Sequence, residues 1–337
     1  MDHSVLTYLY MFVLFSLICL NIQLLDKASS ISHLFLNIQQ NMQWFKQDTT
    51  IFSNTENENE KTSGVCSVTS TPKKSVMYIS NQNAESSVLP NLVLRYSNEY
   101  NLTLCKSYDM VYKDGRACCD VIMVKEVEGI EKMKQSLPKD MFVMTSVEHP
   151  IRHFLQTYKH AGIHEVMTSL FGNKLSKWNA MRKFLQIDQH INEAHAIDNK
   201  DSISVLHSLP RNLQLTNLGI RDFDPYDLNR KIATFDFIVV REMFDESLVI
   251  LRDRLCCSIQ DVLYDKAQQE LTEITIPKDI EDAILRYNKD DMILYRTALK
   301  RLKRSILEHS DFEQVHGIYQ YEQRRHSKLK TKMVPRT

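Results

Sequence analysis

Val76 to Tyr96 reads VMYISNQNAESSVLPNLVLRY. Its opening run, Val76–Ser80, is short, apolar and rich in strand-forming residues, so a strand is expected there. A loop of amides and hydroxyls follows, and from Ser86 to Asn98 apolar residues return at helical spacing. The same order recurs downstream. Strands are expected at Asn101–Cys105 (NLTLC), Cys119–Val124 (CDVIMV), Phe142–Val147 (FVMTSV) and Phe235–Val240 (FDFIVV). Helical patterns lie at Glu126–Gln135, Ile151–Ala161, Lys174–Phe184 and Asp245–Cys256. Ile280–His309 reads as one or two helices, with Ile284, Leu285, Ile293, Leu294, Leu299, Leu302 and Ile306 inward. Short apolar strands alternating with helices mark an α/β fold, a parallel sheet covered on both faces.

At 337 residues the chain can bury one large domain of this kind, or two small ones. Its 42 basic and 42 acidic residues give no net charge, so no global field draws nucleic acid and any anion site is local. Arg324–Arg336 (RRHSKLKTKMVPR) contains no acid and reads as a solvated basic tail.

From Val5 to Leu25 there is no charge, and Leu6–Leu25 (LTYLYMFVLFSLICLNIQLL) is mostly apolar. Such a segment reaches about 30 Å as a helix, the thickness of a hydrocarbon core. A cleaved signal peptide is the rival reading, but the run is too long for one and NIQLLDKASS offers a poor cleavage site. Lys27 after the span, against the terminal amine and His3 before it, does not decide the orientation. Of the seven cysteines, Cys19 lies in the span, which leaves Cys66, Cys105, Cys118, Cys119, Cys256 and Cys257. An even number suits an oxidising lumen, with the pairing open. Asn101-Leu102-Thr103 is a glycosylation sequon that only a lumenal domain can use.

Together these signals predict a type II membrane protein. The expected divisions are a cytoplasmic tail (1–5), a signal-anchor (6–25), a stem (26–74), a lumenal domain (75–320) and a basic tail (321–337). In the stem, Ile31, Leu34, Phe35, Ile38, Met42 and Phe45 recur at helical spacing, a surface through which a homodimer could form. Gln47–Lys74 is too polar to offset its ordering entropy and reads as linker.

Phe235–Asp265 reads FDFIVVREMFDESLVILRDRLCCSIQDVLYD. With Arg211–Gly219 (RNLQLTNLG) and Asn288–Tyr295 (NKDDMILY), it resembles the galactosylceramide and galactose 3-O-sulfotransferases over roughly Ser75 to His309. Taken for itself, the first segment delivers Glu242 to a strand end as a charged rim residue. Asp245 is placed to cap the next helix, and Leu248, Val249, Leu251 and Leu255 face inward.

The resemblance implies a P-loop-kinase-like fold and transfer of sulfate from 3′-phosphoadenylyl sulfate, without a metal, to the 3-hydroxyl of galactose. It implies a galactose-terminated glycolipid or glycoprotein as acceptor and a Golgi membrane location. On this likeness Val76–Ser87 aligns with the family's 5′-phosphosulfate loop, where backbone amides, a lysine and hydroxyls hold the donor. Ser86 and Ser87 keep the paired hydroxyls. Asn83 stands at the lysine position, Ala84 at a threonine and Glu85 at a small residue. Losing such a donor costs on the order of 3–4 kcal/mol of transition-state stabilisation. Met141–Tyr158 resembles the strand and helix that bind the donor's 3′-phosphate. There Pro150, Arg152 and Phe154 match, Thr157 keeps a hydroxyl, and Glu148 and His149 replace an arginine and an aspartate. An acid in place of a phosphate clamp reverses the sign. Cys119–Glu126 aligns with a segment whose histidine, a general base, falls near Lys125. A lysine is a poor base unless desolvated. The resemblance therefore also implies an alternative, a catalytically inactive relative that binds glycan or a partner.

His149, His153, His160 and His164 are spaced as one helical stripe, but Gly162 interrupts it and no acid or thiol joins, so zinc is not favoured. Cys118-Cys119 and Cys256-Cys257 fit disulfides better than ligands. No Gly-x-Ser-x-Gly or Gly-rich dinucleotide loop is present, and Asp222-Phe223-Asp224 lies in a proline-flanked turn.

Overall fold

The computed structural model describes residues 71–81, 88–106, 112–113, 116–117, 119–125, 127, 129–171, 175–187, 209–220, 225–265 and 275–333. All belong to the unit formed by residues 63–337. The expected span, most of the stem and the loop at 82–87 lie outside the described residues. Among the described residues no helix is long and apolar enough to cross a membrane.

The chain opens with β1 (Val76–Ile79), α1 (Val88–Glu99) and β2 (Leu104–Cys105). A small antiparallel hairpin, β3 (Tyr112–Lys113) with β4 (Arg116–Ala117), precedes β5 (Val121–Val124). Then come α2 (Ile130–Ser136), β6 (Phe142–Val147), α3 (Pro150–His160), α4 (Ile163–Phe171) and α5 (Lys177–Ile187). Two short helices, α6 (Leu213–Asn217) and α7 (Pro225–Ile232), lead to β7 (Phe237–Val240). The rest is helical: α8 (Phe244–Leu255), α9 (Ile259–Val262), α10 (Lys278–Tyr287), α11 (Lys289–Glu308) and α12 (Phe312–Met333).

Five strands form one parallel sheet in the order β2-β5-β1-β6-β7. Every residue of β1 is 2% exposed or less, so alternate side chains meet cover on both faces, as the unbroken apolar run predicts. β2 and β5 lie to one side of β1, and β6 and β7 to the other. The crevice at the carboxyl ends of β1 and β6 is therefore the topological switch point, where open α/β sheets bind their ligands. A second, aromatic cluster lies beside the sheet. Phe154 and Tyr158 of α3, Phe184 of α5 and Tyr287 of α10 meet with ring centroids 5.7 to 6.1 Å apart.

The structure sharpens some sequence expectations and overturns others. Ile280–His309 is two helices broken at Asn288, with Ile284, Leu294 and Leu302 buried. Asp245 does not cap α8, whose N-cap is Met243 without a side-chain bond. Its carboxylate instead accepts the hydroxyls of Tyr264 (2.8 Å) and Tyr319 (3.3 Å). Leu248, Val249, Leu251 and Leu255 are buried as expected. The run read as a solvated tail from Arg324 is largely the end of α12. That helix is tied down by Tyr319, fully buried, and by Gln323, whose amide clamps the backbone N–H and C=O of Tyr264. Its other face, with Ile318, Tyr321, Arg324, Arg325 and Lys328, is exposed, so composition alone concealed the docking.

Cys105 and Cys119 form a disulfide with Cα atoms 5.9 Å apart, and Cys256 is disulfide-bonded too. Cys257 is a thiol, pushed up to about 12 by burial and by the nearby Asp261 carboxylate. The sequon residue Asn101 is exposed in a left-handed turn after α1.

Gly219 closes α6 at φ 71°, and a Cβ there would lie 2.6 Å from the Val127 carbonyl and 2.8 Å from the Gly129 nitrogen. Both obstacles are backbone and cannot swing aside. Gly219→Ala is expected to lower unfolding stability by roughly 2–5 kcal/mol, from left-handed strain plus overpacking. Urea titration of the two proteins checks this, and a difference under about 1 kcal/mol would refute the contact.

Candidate functional site

The crevice at the switch point is floored by strand ends. Tyr78, Ser80 and Asn81 come from β1 and its exit, Ser146 and Glu148 from β6, and Arg241 from the residue after β7. Burial raises the Tyr78 hydroxyl above its usual range, so it stands neutral beside Ser80 and Ser146.

Glu148 is 2% exposed. One carboxylate oxygen, Oε2, accepts from Nη1 of Arg241 at 3.3 Å, and the other, Oε1, lies 3.8 Å from Nε of Arg152. Arg241 is itself nine-tenths buried, while Arg152 is 30% exposed. The acid that replaces a cation in the likeness is thus not a bare charge, because two guanidiniums straddle it.

The main chain of Glu148 is held as firmly. Gln214, fully buried, accepts the Glu148 N–H at 2.9 Å and donates to its carbonyl at 2.9 Å. Asn81 donates to the same Gln214 oxygen at 3.3 Å and accepts from Asn217 at 3.2 Å. A buried network of this kind is rigid because each unmade bond would be costly.

Gln214 is positioned by a reciprocal cap. Asp291, 1% exposed, accepts the N–H groups of Gln214 (3.1 Å) and Leu215 (2.9 Å) at the start of α6. In return the Asn212 side chain accepts the N–H groups of Asp290 (3.0 Å) and Asp291 (3.3 Å) at the start of α11. Asn212 takes a left-handed conformation to do so, φ 51°. Each helix supplies the other's missing acceptor. Asn288 completes the joint by accepting the Asn212 N–H at 3.2 Å. The RNLQLTNLG and NKDDMILY segments are thus the two halves of one joint. Burial, opposed by the two amide bonds and helped by Asp290, raises Asp291 to about 7.

Glu242, read as a rim residue, accepts the His149 N–H at 2.8 Å at the start of α3 and bonds the Tyr295 hydroxyl. Burial and Arg152 lower His149 below its usual range, so it is neutral at pH 7. Its ring packs edge-on against Tyr295 at 5.2 Å.

Of the residues singled out by likeness, Asn83, Ala84, Glu85, Ser86 and Ser87 lie outside the described residues. Glu148 and Arg152 are brought together. Thr157 donates its hydroxyl to the His153 carbonyl at 2.9 Å, one turn back in α3. Lys125 is exposed at the carboxyl end of β5. The histidine stripe divides: His149 and His153 belong to the start of α3, while a turn at Gly162 separates His160 from His164. Among the described residues no cluster of three His, Cys, Asp or Glu could hold a metal. Sequence reasoning missed Arg241, Gln214 and Asn81. The only signal for the first was its place at a strand's carboxyl end, one residue before Glu242.

The chain is similar to the galactosylceramide sulfotransferase of Homo sapiens, 23% identical over 252 residues, 67% of this chain and 56% of that one. The Mus musculus counterpart matches with the same identity and coverage. That of Bos taurus is 25% identical over 217 residues, 58% of this chain and 48% of that one. The chain spans about half the length of these curated relatives. No family model matches it, and no solved structure does.

Proposed function

As the chain is a distant relative of the galactosylceramide sulfotransferases, we propose that it is a Golgi sulfotransferase of the galactose 3-O type. In this reading it transfers sulfate from 3′-phosphoadenylyl sulfate to the 3-hydroxyl of galactose on a glycolipid or glycoprotein. One observation carries the reading. The two segments most like the family's donor-binding motifs begin on β1 and β6, the strands that flank the switch-point crevice. The Cys105–Cys119 disulfide, the second at Cys256 and the exposed Asn101 sequon support a lumenal domain behind the signal-anchor at 6–25.

The described residues do not fit the donor's 3′-phosphate as they stand. Arg152 and Arg241, the cations nearest the position, are both engaged by Glu148. No step of the transfer is therefore assigned to them. This engagement, with Asn83 and Glu85 in the loop, favours a second reading: a non-catalytic relative that keeps the fold and binds glycan or a partner.

Calorimetric titration of the lumenal part with adenosine 3′,5′-bisphosphate separates the two, run beside Asn83→Lys/Glu85→Gly/Glu148→Arg. The enzyme reading expects micromolar binding by the unaltered protein. Binding by the triple variant alone would leave only the non-catalytic reading.

A further inference from the structure

We infer that Arg152 and Arg241 form a binding site for a compact oxyanion, a sulfate or phosphoryl group, and that Glu148 is its built-in competitor. The geometry is that of an occupied anion pocket. The carboxylate offers one oxygen to each guanidinium, at 3.3 Å and 3.8 Å, as a tetrahedral oxyanion would between the same two groups. Neither guanidinium is saturated. Nε of Arg241 and Nη1 of Arg152 are buried and have no hydrogen-bond partner among the described residues. A carboxylate presents two oxygens, and a sulfate presents four, so an anion with more acceptors can use donors that Glu148 leaves over. Arg241 is nine-tenths buried and lines the crevice with Tyr78, Ser80 and Ser146, whose hydroxyls add neutral donors.

Glu148 can yield its place without unfolding its surroundings. Gln214 fixes its main chain, so the side chain can rotate about its own torsions while the backbone stays in place. An anion entering beside the carboxylate meets repulsion from it, and one that replaces it gains both cations. Glu148 therefore sets a threshold, admitting only an anion that outcompetes a tethered carboxylate. This rests on the reading of the crevice as the donor side of the site, yet it concerns the small anion and not the nucleotide.

The test is calorimetric titration of the full chain with sodium sulfate at constant ionic strength, and separately with adenosine 3′,5′-bisphosphate. The proteins are the unaltered chain, Glu148→Gln, Glu148→Asp and Glu148→Gln/Arg241→Met. Glu148→Gln is expected to bind sulfate roughly 10–100-fold more tightly than the unaltered chain. Glu148→Asp, which retracts the charge by one methylene, should gain less, and it decides the matter if the Gln variant does not fold. Arg241→Met in the Gln background should cancel the gain. Equal sulfate affinity in all the proteins, or a gain that survives loss of Arg241, overturns the inference. Gain for sulfate with no bisphosphate binding keeps the anion pocket and removes the donor reading. Micromolar bisphosphate binding by the unaltered chain, with no gain for sulfate in Glu148→Gln, keeps the donor reading and removes Glu148 as competitor.

Discussion

Glu148→Ala is expected to cost about 3–5 kcal/mol of folding stability, and most of that loss is expected to arise at Arg241. The carboxylate pairs with a guanidinium that is nine-tenths buried and has an unbonded Nε among the described residues. Removing the acid leaves a desolvated charge in place. Arg152, 30% exposed, can turn to solvent and contributes less. A double-mutant cycle measures the difference. Glu148→Ala/Arg241→Ala should recover part of the single-variant loss, with a coupling energy above about 1 kcal/mol by urea unfolding. Strict additivity of the two losses would mean that the pair is a contact without energetic content. Sulfate should also raise the unfolding midpoint of Glu148→Ala more than that of the unaltered chain, since it restores the missing counter-charge.

Lowering the pH from 7.5 to 5 is expected to stabilise the fold on account of Asp291, and Asp291→Asn is expected to flatten that dependence. The sign follows from the direction of the shift. Burial raises the folded-state value to about 7 from the ordinary 3.8. Between those values the folded chain holds a proton that the unfolded chain has released, so stability falls as pH rises through the window. Fully expressed, that difference amounts to roughly 4 kcal/mol, and about half of it is expected for a group with two amide donors. Urea midpoints across pH 5 to 7.5 provide the check. An asparagine variant with the same slope as the parent would place the pH response elsewhere. Asparagine keeps one acceptor oxygen where the carboxylate offers one to Gln214 and one to Leu215, so the variant also loses a bond at all pH values. It is the slope with pH, not the absolute stability, that reports the charge.

The sheet was legible because its strands are apolar on both faces and bounded by polar loops, which leaves little competition for β1, β6 and β7. Glu148 was legible as an acid at the end of a strand, since one residue carries it. Its neutralisation was not, because Arg241 lies 93 residues further on and only the β6–β7 pairing brings the two together. Gln214 and Asn81 left no trace either. Periodicity detects side chains that avoid water, and these two are buried for the sake of hydrogen bonds. The end of α12 reads as a tail because the run from Arg324 is basic and polar, while Tyr319 and Gln323, which dock the helix, precede that run.

The joint between Asn212 and Asp290–Asp291 has a consequence for how this chain can change over generations. Its two halves lie 78 residues apart, and each half terminates the helix of the other. A substitution at Asn212 strands two amides of α11, and one at Asp291 strands two of α6. Neither segment can drift alone. Across descendants the three positions should be retained or replaced as a set, so covariation between them would trace this joint.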